Sequence, residues 1–270
     1  PESGCFHKGE KEKCFAYTHQ VFCDKNGFVL AKTTTLGNVH DSVAFFEAYN
    51  TLNKKFKDQI KNICLDAGYV NPTICREIIL NGHTPLMPYK RPMTNKDFFK
   101  KYEYAYDEYY DCYICPNNEV LSYSTTDKNG YKQYKSNPDK CANCPLREKS
   151  KNHQKLVTRH IWEEYKEQAN ENRYTQNWKD NYPKRKETIE RVFGDCKEQH
   201  NLRFTRVRGL LKNGQNVTLI FACRNLKKMA NWRWKKSSNK PLTISFFSKI
   251  SKLFKKRGIF FFEHTSLSTT

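Results

Sequence analysis

Ile60-Lys-Asn-Ile-Cys-Leu-Asp-Ala-Gly-Tyr69 predicts a buried strand that ends in a turn. The apolar part, Ile60–Leu65, is short and stops at Asp66, and Gly68 then lets the backbone turn sharply. In α/β proteins a carboxylate at the end of a strand is a usual place for a metal ligand or a catalytic group. An Asp there is more often a simple turn former. Asp66 is therefore a candidate site residue, with the turn as the alternative.

The surrounding pattern predicts a mixed α/β sheet. Residues 13–35 are predicted to form a hairpin, because the polar break at Asn26-Gly27 separates two runs of β-forming residues. Helices are predicted from Asp41 and from Asn71-Pro72, each with a capping residue at its start. Leu86–Tyr89 is predicted to be a further strand. The alternation of strands and helices favours one sheet flanked by helices.

Changes in composition divide the chain into four parts. Residues 1–92 form the first part of the core, and residues 93–155 are a Tyr-, Lys-, Asp- and Cys-rich insertion with little core of its own. Residues 156–234 return to helical periodicity, and residues 235–270 are a basic tail. One helical face is predicted to be apolar within the third part, and it consists of Leu219, Ala222, Cys223, Leu226 and Ala230.

The insertion contains two matched CxxC pairs. Cys112 and Cys115 form the first, and Cys141 and Cys144 form the second. Four thiolates at this spacing suit a tetrahedral structural Zn²⁺ site, and a metal would stabilise a segment that has few aliphatic residues. The alternative is reduced or unrelated cysteines. The remaining cysteines lie mostly in apolar runs and are interpreted as small core residues.

The charge of the chain is concentrated in one segment. The 270 residues contain 48 Lys+Arg and 28 Asp+Glu, a net charge of +20. Sixteen of the basic residues and none of the acidic ones lie between Asn201 and Arg257. Nucleic acid is the commonest partner of such a segment, because lysine and arginine neutralise phosphates. A solvated tail and an anionic lipid surface are the alternatives. No apolar run approaches the length of a membrane span.

A predicted helix near residue 190 carries a second candidate acid. Glu190 stands beside apolar Ile189 and Phe193, and Lys197 follows two helical turns later on the same side. An acid near the core with a basic neighbour suits a metal site that faces an anionic substrate. A surface helix with ion pairs is the alternative.

These motifs together resemble a known family. Asn38-Val-His-Asp41, Asp66-Ala-Gly-Tyr69, Tyr182-x2-Arg185 and Glu190-x6-Lys197 resemble insertion-sequence transposases with a DDE catalytic domain of ribonuclease-H-like fold. The resemblance extends from about residue 1 to Trp234 and is closest to the branch with a cysteine-rich insertion. Five further stretches share it, and they are Asp107–Pro116, Lys151–Lys155, Thr158–Trp162, Lys186–Phe193 and Leu219–Lys228.

The resemblance implies a role for each matching residue. Asp66 and Glu190 match catalytic carboxylates that hold two Mg²⁺ (or Mn²⁺) ions for phosphoryl transfer. Tyr182, Arg185 and Lys197 match a motif whose basic members are thought to touch DNA. Four residues separate Arg185 from Glu190, one more than in the family pattern. We add the basic residues that follow the helix as DNA-binding candidates, and they are Arg203, Arg206 and Arg208.

The family's first catalytic Asp precedes the region that resembles Pro1, so we expect an N-terminally truncated chain that holds two of the three carboxylates. The implied function is a DNA transposase that cleaves and joins strands at element ends, and we expect this chain not to transpose by itself. A non-catalytic, zinc-stapled DNA-binding remnant of a transposase is the second hypothesis. A plain structural α/β protein is the third, and it leaves the charge segment unexplained.

Partners and location follow from the same resemblance. It implies double-stranded DNA, both terminal repeats and target, as the partner, with no membrane association, and it allows a homodimer. The implied location is the bacterial cytoplasm, in association with the nucleoid.

Overall fold

The first three strands form an antiparallel sheet. The computed structural model describes residues 3–8, 12–91, 96–149 and 154–236. The strands are β1 (Gly4–Lys8), β2 (Glu12–Cys23) and β3 (Val29–Leu36). β1 pairs only with the first part of β2, and β3 pairs with β2 from Tyr17 to Cys23. The predicted hairpin is confirmed, whereas β1 was not predicted.

The turn of the hairpin has the features that its sequence predicts. Gly27 adopts φ +79°, a conformation that glycine reaches without strain. The Asp24 carboxylate accepts hydrogen bonds from the backbone N–H groups of Asn26 at 3.0 Å and Phe28 at 2.7 Å. This side chain therefore fixes the turn that sets the register of β2 and β3.

Two helices and a parallel strand pair complete the first part of the fold. The elements are α1 (Asp41–Phe56), β4 (Asn62–Cys64), α2 (Pro72–Leu80) and β5 (Thr84–Leu86). β4 and β5 are parallel. Asn71 caps α2 as predicted, but α1 is capped by His40, and Asp41 is its first residue. The stacked rings of Phe45 and Tyr49 on α1 lie at the centre of the buried core.

The cysteine-rich region forms a five-stranded antiparallel sheet. Its strands are β6 (Ala105–Asp107), β7 (Cys112–Ile114), β8 (Val120–Thr126), β9 (Tyr131–Lys135) and β10 (Leu156–His160), and the short helix α3 (Pro138–Ala142) follows β9. The sheet has a core that the low aliphatic content did not predict. This core is built around the buried rings of Tyr104, Tyr113 and Tyr134, with Leu121 and Val157. Aromatic side chains here supply the burial that aliphatic residues supply elsewhere.

Three helices end the described chain. They are α4 (Glu163–Glu171), α5 (Gln176–Gln199) and α6 (Leu210–Lys236). The start of α5 is fixed to the parallel pair, because Asn177 and Asn62 exchange two hydrogen bonds of 2.9 Å and the Trp178 indole donates to the carbonyl of Met87 at 3.0 Å. Its end packs on α6 through buried Val192 and Cys196.

The apolar face predicted for α6 is not its buried face. Leu219 is 66% exposed and Leu226 is 59% exposed, whereas Val217 and Phe221 are buried against α5 and the hairpin. Arg224 is buried as well, although it belongs to the basic segment. The face of α6 that packs against the protein is therefore different from the predicted one. Arg224 lies on this packed face, although the sequence pattern predicted its guanidinium to be in solvent.

The architecture is a mixed α/β fold with a separate antiparallel sheet and a helical C-terminal part, which confirms the predicted α/β class. Among the described residues the hairpin and the parallel pair form two separate sheets, and not the single sheet that was predicted. The tail predicted for residues 235–270 lies outside the described residues from residue 237 onward. Among the helices of the described ranges, none combines the length and apolarity that crossing a membrane requires.

Candidate active site

A cleft of about 980 Å³ lies between β2 and β4. Every residue from Thr18 to Lys25 and every residue from Gln59 to Asp66 lines it. Helices α1 and α5 also line it, with Phe45 and Leu52 from α1. The residues that α5 contributes are Asn181, Lys184, Arg185, Thr188, Ile189, Glu190, Phe193, Gly194 and Lys197. The cleft thus gathers both candidate carboxylates and two of the candidate basic residues.

Asp66 stands at the end of β4, where the sequence pattern predicted it. Its carboxylate accepts a hydrogen bond of 2.5 Å from the backbone N–H of Ala67 and so begins a single 3-10 turn. The side chain is 60% exposed, so most of the carboxylate faces the cleft and solvent. The turn-forming and site-forming interpretations of Asp66 are therefore compatible, since one oxygen shapes the turn and the rest of the group stays accessible.

Arg185 connects α5 to Asp66. A guanidinium nitrogen of Arg185 lies 3.9 Å from the Asp66 carboxylate. The guanidinium carbon lies 5.7 Å from the ring centroid of Tyr182, and this ring stacks on Trp178 at 4.7 Å. The Nε atom of Arg185 is buried and has no hydrogen-bond partner among the described residues. A stacked aromatic pair therefore supports a cation whose hydrogen-bonding capacity is only partly used.

Glu190 and Lys197 stand on the same helix and line the same cleft. Both side chains are exposed. A cation and an anion on one helix face, open to solvent, leave room for a ligand that carries phosphate and a bound cation. The structure thus brings together Asp66, Glu190, Arg185 and Lys197 from elements that are distant in sequence.

The cleft contains a polar chain that the sequence did not reveal. The Gln20 side-chain amide donates to the Asp41 carboxylate at 2.7 Å and accepts from the hydroxyl of Tyr69. Burial, together with the nearby Asp41 and Asp66 carboxylates, raises the pKa of Tyr69. The hydroxyl of Tyr69 therefore stays protonated and donates at neutral pH. The position of Tyr69 directly after Asp66-Ala-Gly68 is the sequence feature that could have identified it as a residue of the cleft.

The basic residues beyond α5 lie in the connection to α6. Arg203, Arg206 and Arg208 are exposed, and Arg203 forms an ion pair with Glu198. None of these three residues lines the cleft. They form a separate exposed cationic loop that follows the end of the helix carrying Lys197.

Three of the four cysteines of the two CxxC pairs lie around one pocket. Cys115, Cys141 and Cys144 line one small pocket of about 50 Å³, and Cys112 is not among its lining residues. The Cys141 thiol is 3.0 Å from the hydroxyl of Ser136. Within the described ranges, no group of three or more His, Cys, Asp or Glu side chains is arranged to hold a metal ion.

Comparison with known proteins identifies the family of one segment. Residues 114–230 match the family model of the transposase DDE domain. This segment is that of a DDE-type transposase. The match includes Glu190 and the whole of α5, and it leaves out Asp66 and Cys112. No curated protein and no solved structure matched the chain.

The two accessible carboxylates of the cleft, Asp66 and Glu190, have the donor chemistry of a Mg²⁺ site. Magnesium is usually held by one or two carboxylates, with water and substrate phosphates as the other ligands. Asp66 and Glu190 supply two such groups on one cleft. The other carboxylates that line it are already engaged, Asp24 in the hairpin turn and Asp41 with Gln20. Asp66 and Glu190 are therefore the carboxylates of the cleft that remain available to a divalent cation.

Proposed function

We propose that the chain binds double-stranded DNA along the cleft and the adjoining basic loop, as a transposase that acts on element ends and target DNA. The family match supports a transposase, and one observation carries the finer proposal: Asp66 and Glu190 line a single cleft together with Arg185 and Lys197. Carboxylates and cations at one open site suit a substrate that combines phosphate with divalent cations.

In this proposal Asp66 and Glu190 hold Mg²⁺ or Mn²⁺. The ions, when bound, supply Lewis acidity for in-line phosphoryl transfer. Lys197 and Arg185 bind phosphate oxygens, and stacking on Tyr182 orients the Arg185 guanidinium. The Tyr69 hydroxyl holds Gln20 and, through it, the start of α1 beside the cleft.

The proposal separates DNA binding from strand cleavage. Asp66 and Glu190 are assigned here as two of the carboxylates that the family uses. DNA binding is shared with the second hypothesis, a non-catalytic DNA-binding remnant. The two hypotheses differ in their requirement for a cation, because only the catalytic proposal requires Glu190 to bind Mn²⁺ or Mg²⁺.

Binding to a duplex of about 40 base pairs, measured across 50 to 200 mM salt, tests the first step. We expect affinity to fall steeply with salt, and a flat salt response would contradict DNA binding. Titration with Mn²⁺, followed by electron paramagnetic resonance, tests the second step. Glu190→Gln should abolish Mn²⁺ binding, whereas the control Glu187→Gln, a residue paired with Arg191 outside the cleft, should not. Equal Mn²⁺ binding by both variants would favour the non-catalytic hypothesis.

Further parts of the proposal rest on the same family resemblance. The antiparallel hairpin, the parallel pair and the flanking helices support a ribonuclease-H-like arrangement. A structural Zn²⁺ at the two CxxC pairs would require Cys112 to join the pocket lined by Cys115, Cys141 and Cys144, and elemental analysis of the purified protein tests it, since a zinc content near zero would contradict it. A DNA partner supports a location with the bacterial nucleoid, and a homodimer is tested by light scattering.

A further inference from the structure

The basic loop between α5 and α6 carries an exposed aromatic ring. Residues 203–208 of this loop are Arg-Phe-Thr-Arg-Val-Arg, so three arginines surround one phenylalanine. Phe204 is 74% exposed, and it belongs to none of the three buried clusters of the described residues. Single exposed apolar side chains are common on protein surfaces, so the surroundings of this ring decide what it can bind.

Hydrogen bonds hold the backbone of the basic loop at both of its ends. On the α5 side, the backbone N–H of Leu202 donates to the carbonyl of Cys196 at 3.0 Å. On the α6 side, the buried side-chain amide of Asn213 donates to the carbonyls of Val207 and Gly209, each at 3.0 Å. The ring between these anchors is therefore presented on a fixed backbone, and a ligand would need little further ordering of the loop.

The cations of the basic loop are open to an anionic ligand. Arg206 and Arg208 are exposed, and within the described ranges neither forms an ion pair, whereas Arg203 pairs with Glu198. Helix α6 begins at Leu210, directly after the loop, and the first turn of a helix carries partial positive charge. Because a guanidinium group can bind phosphate through two parallel hydrogen bonds, each of the two unpaired arginines can hold one phosphate.

The Phe204 ring can recognise the face of a base but not its edge. A phenyl ring has no hydrogen-bonding group, so it cannot read the donor and acceptor pattern in the grooves of a duplex. Aromatic side chains instead stack on bases of every kind, because each base has a π face. In an intact duplex the neighbouring base pairs cover both faces of a base, whereas an unpaired nucleotide leaves them open. A ring flanked by phosphate-binding arginines therefore suits unpaired nucleotides better than an intact duplex.

We propose that the basic loop binds unpaired nucleotides of a DNA strand. The Phe204 ring stacks on one base, while Arg206 and Arg208 hold neighbouring phosphates. Lys197 lines the cleft near the end of α5, so a strand that leaves the cleft along this helix reaches the loop next. This inference rests on the proposed DNA binding and adds to it the form of DNA that the loop prefers, a gap or a melted end.

Two DNA molecules test the inference on the full chain. One is an intact duplex of about 40 base pairs, and the other has the same sequence with a gap of about four nucleotides in one strand. We expect the chain to bind the gapped duplex about tenfold more tightly, as measured by fluorescence anisotropy. Phe204→Leu should remove this preference and leave the affinity for the intact duplex unchanged, because leucine keeps an apolar side chain but has no ring to stack.

A photoreactive base reports the stacking itself. Iodouracil, placed in the unpaired stretch, cross-links under ultraviolet light to an aromatic ring that stacks on it, so the original chain should cross-link at Phe204. Tyr109→Leu is the matched control, because Tyr109 is 87% exposed but stands beside Glu108, whose charge repels phosphate. This variant should cross-link and prefer the gapped duplex as the original chain does. Both replaced rings are exposed, so neither variant should change unfolding in urea.

The outcomes of these measurements separate the inference from the proposed function. Equal affinity for the two DNA molecules, or a cross-link to another residue alone, would overturn the inference and leave duplex binding intact. An equal loss of both affinities in Phe204→Leu would also overturn it, since the ring would then insert between paired bases. Failure to bind either DNA would contradict the proposed function as well as the inference.

Discussion

The guanidinium of Arg185 lies 3.9 Å from the carboxylate of Asp66, so α5 and the end of β4 are joined by a long ion pair at the cleft. Since Asp66 is mostly exposed, the pair is screened by water and contributes little to stability. Both partners are therefore available to other ligands, a phosphate for Arg185 and a cation for Asp66.

Arg185→Gln should weaken duplex binding and strengthen Mn²⁺ binding. Loss of one phosphate contact should reduce the salt slope by about 1, and loss of the competing guanidinium frees the Asp66 carboxylate. Fluorescence anisotropy and Mn²⁺ titration measure the two effects. Arg191→Gln is the control, since Arg191 pairs with Glu187 and does not line the cleft. If the affinities for duplex DNA and for Mn²⁺ both rose or both fell, Arg185 would not compete with a cation for Asp66.

Arg224→Lys should lower stability without changing DNA affinity. The buried guanidinium donates to the carbonyl of Gly27 and lies 3.1 Å from the Asp195 carboxylate, a pair of contacts that lysine cannot reproduce. We expect a loss of about 2 kcal/mol in urea unfolding. Exposed Arg206→Lys should unfold like the original protein. A marked loss of DNA affinity in folded Arg224→Lys would show that this residue belongs to the binding surface after all.

The five-stranded sheet should lose stability in acid through Asp111. Hydrogen bonds from the Tyr134 hydroxyl, then from Lys132 and Tyr106, lower the pKa of Asp111 to about 2 despite its partial burial. Because the folded pKa is below the unfolded one, this stabilisation is complete above the ordinary Asp pKa near 3.8 and disappears as the pH falls toward 2. Near-ultraviolet circular dichroism of the tyrosine cluster measures it.

Asp111→Asn provides the comparison for this titration. The amide oxygen can still accept from Tyr134, but it does not ionise in this range. The tyrosine signal of the variant should therefore show a smaller change between pH 4 and pH 2, the interval defined by the two pKa values. An unchanged transition in the variant would show that another group causes it.

His19 should make the hairpin sensitive to mild acid. Burial and, secondarily, the ammonium group of Lys32 lower the pKa of His19 to about 4 from 6.5. The neutral ring is favoured in the folded state, so its stabilisation is full above pH 6.5 and declines as the pH falls toward 4. Amide exchange in β2 and β3 should accelerate over this interval. His19→Gln should remove the dependence, and its persistence would exclude His19 as the cause.

Local signals predicted much of the first part of the fold. Asn26-Gly27 predicted the hairpin turn, Asn71-Pro72 predicted the start of α2, and the apolar run before Asp66 predicted β4. These features depend on the conformational preferences of a few adjacent residues. The family resemblance paired Asp66 with Glu190, and the two residues line one cleft.

The features that the sequence did not predict depend on contacts between residues that are distant in the chain. Arg224 is buried because Gly27 and Asp195 lie opposite it, and no local pattern shows this. The prediction of which face of α6 is apolar and packed was wrong for the same reason, since a buried charge reverses the expected pattern of burial. The tyrosine core of the second sheet depends on contacts among three separate strand regions.

Pro183 lies inside α5, between the turns that are fixed to β4 and β5 and the turns that pack on α6. Proline removes one helical hydrogen bond and bends a helix at that point. Helix α6 is in turn attached to β3 by two hydrogen bonds between Asn225 and Val29. Helix α5 therefore connects the parallel pair β4–β5 with the sheet that contains β2 and β3. The strands on the two sides of the cleft are consequently joined through this one helix, with Pro183 between its two anchored parts.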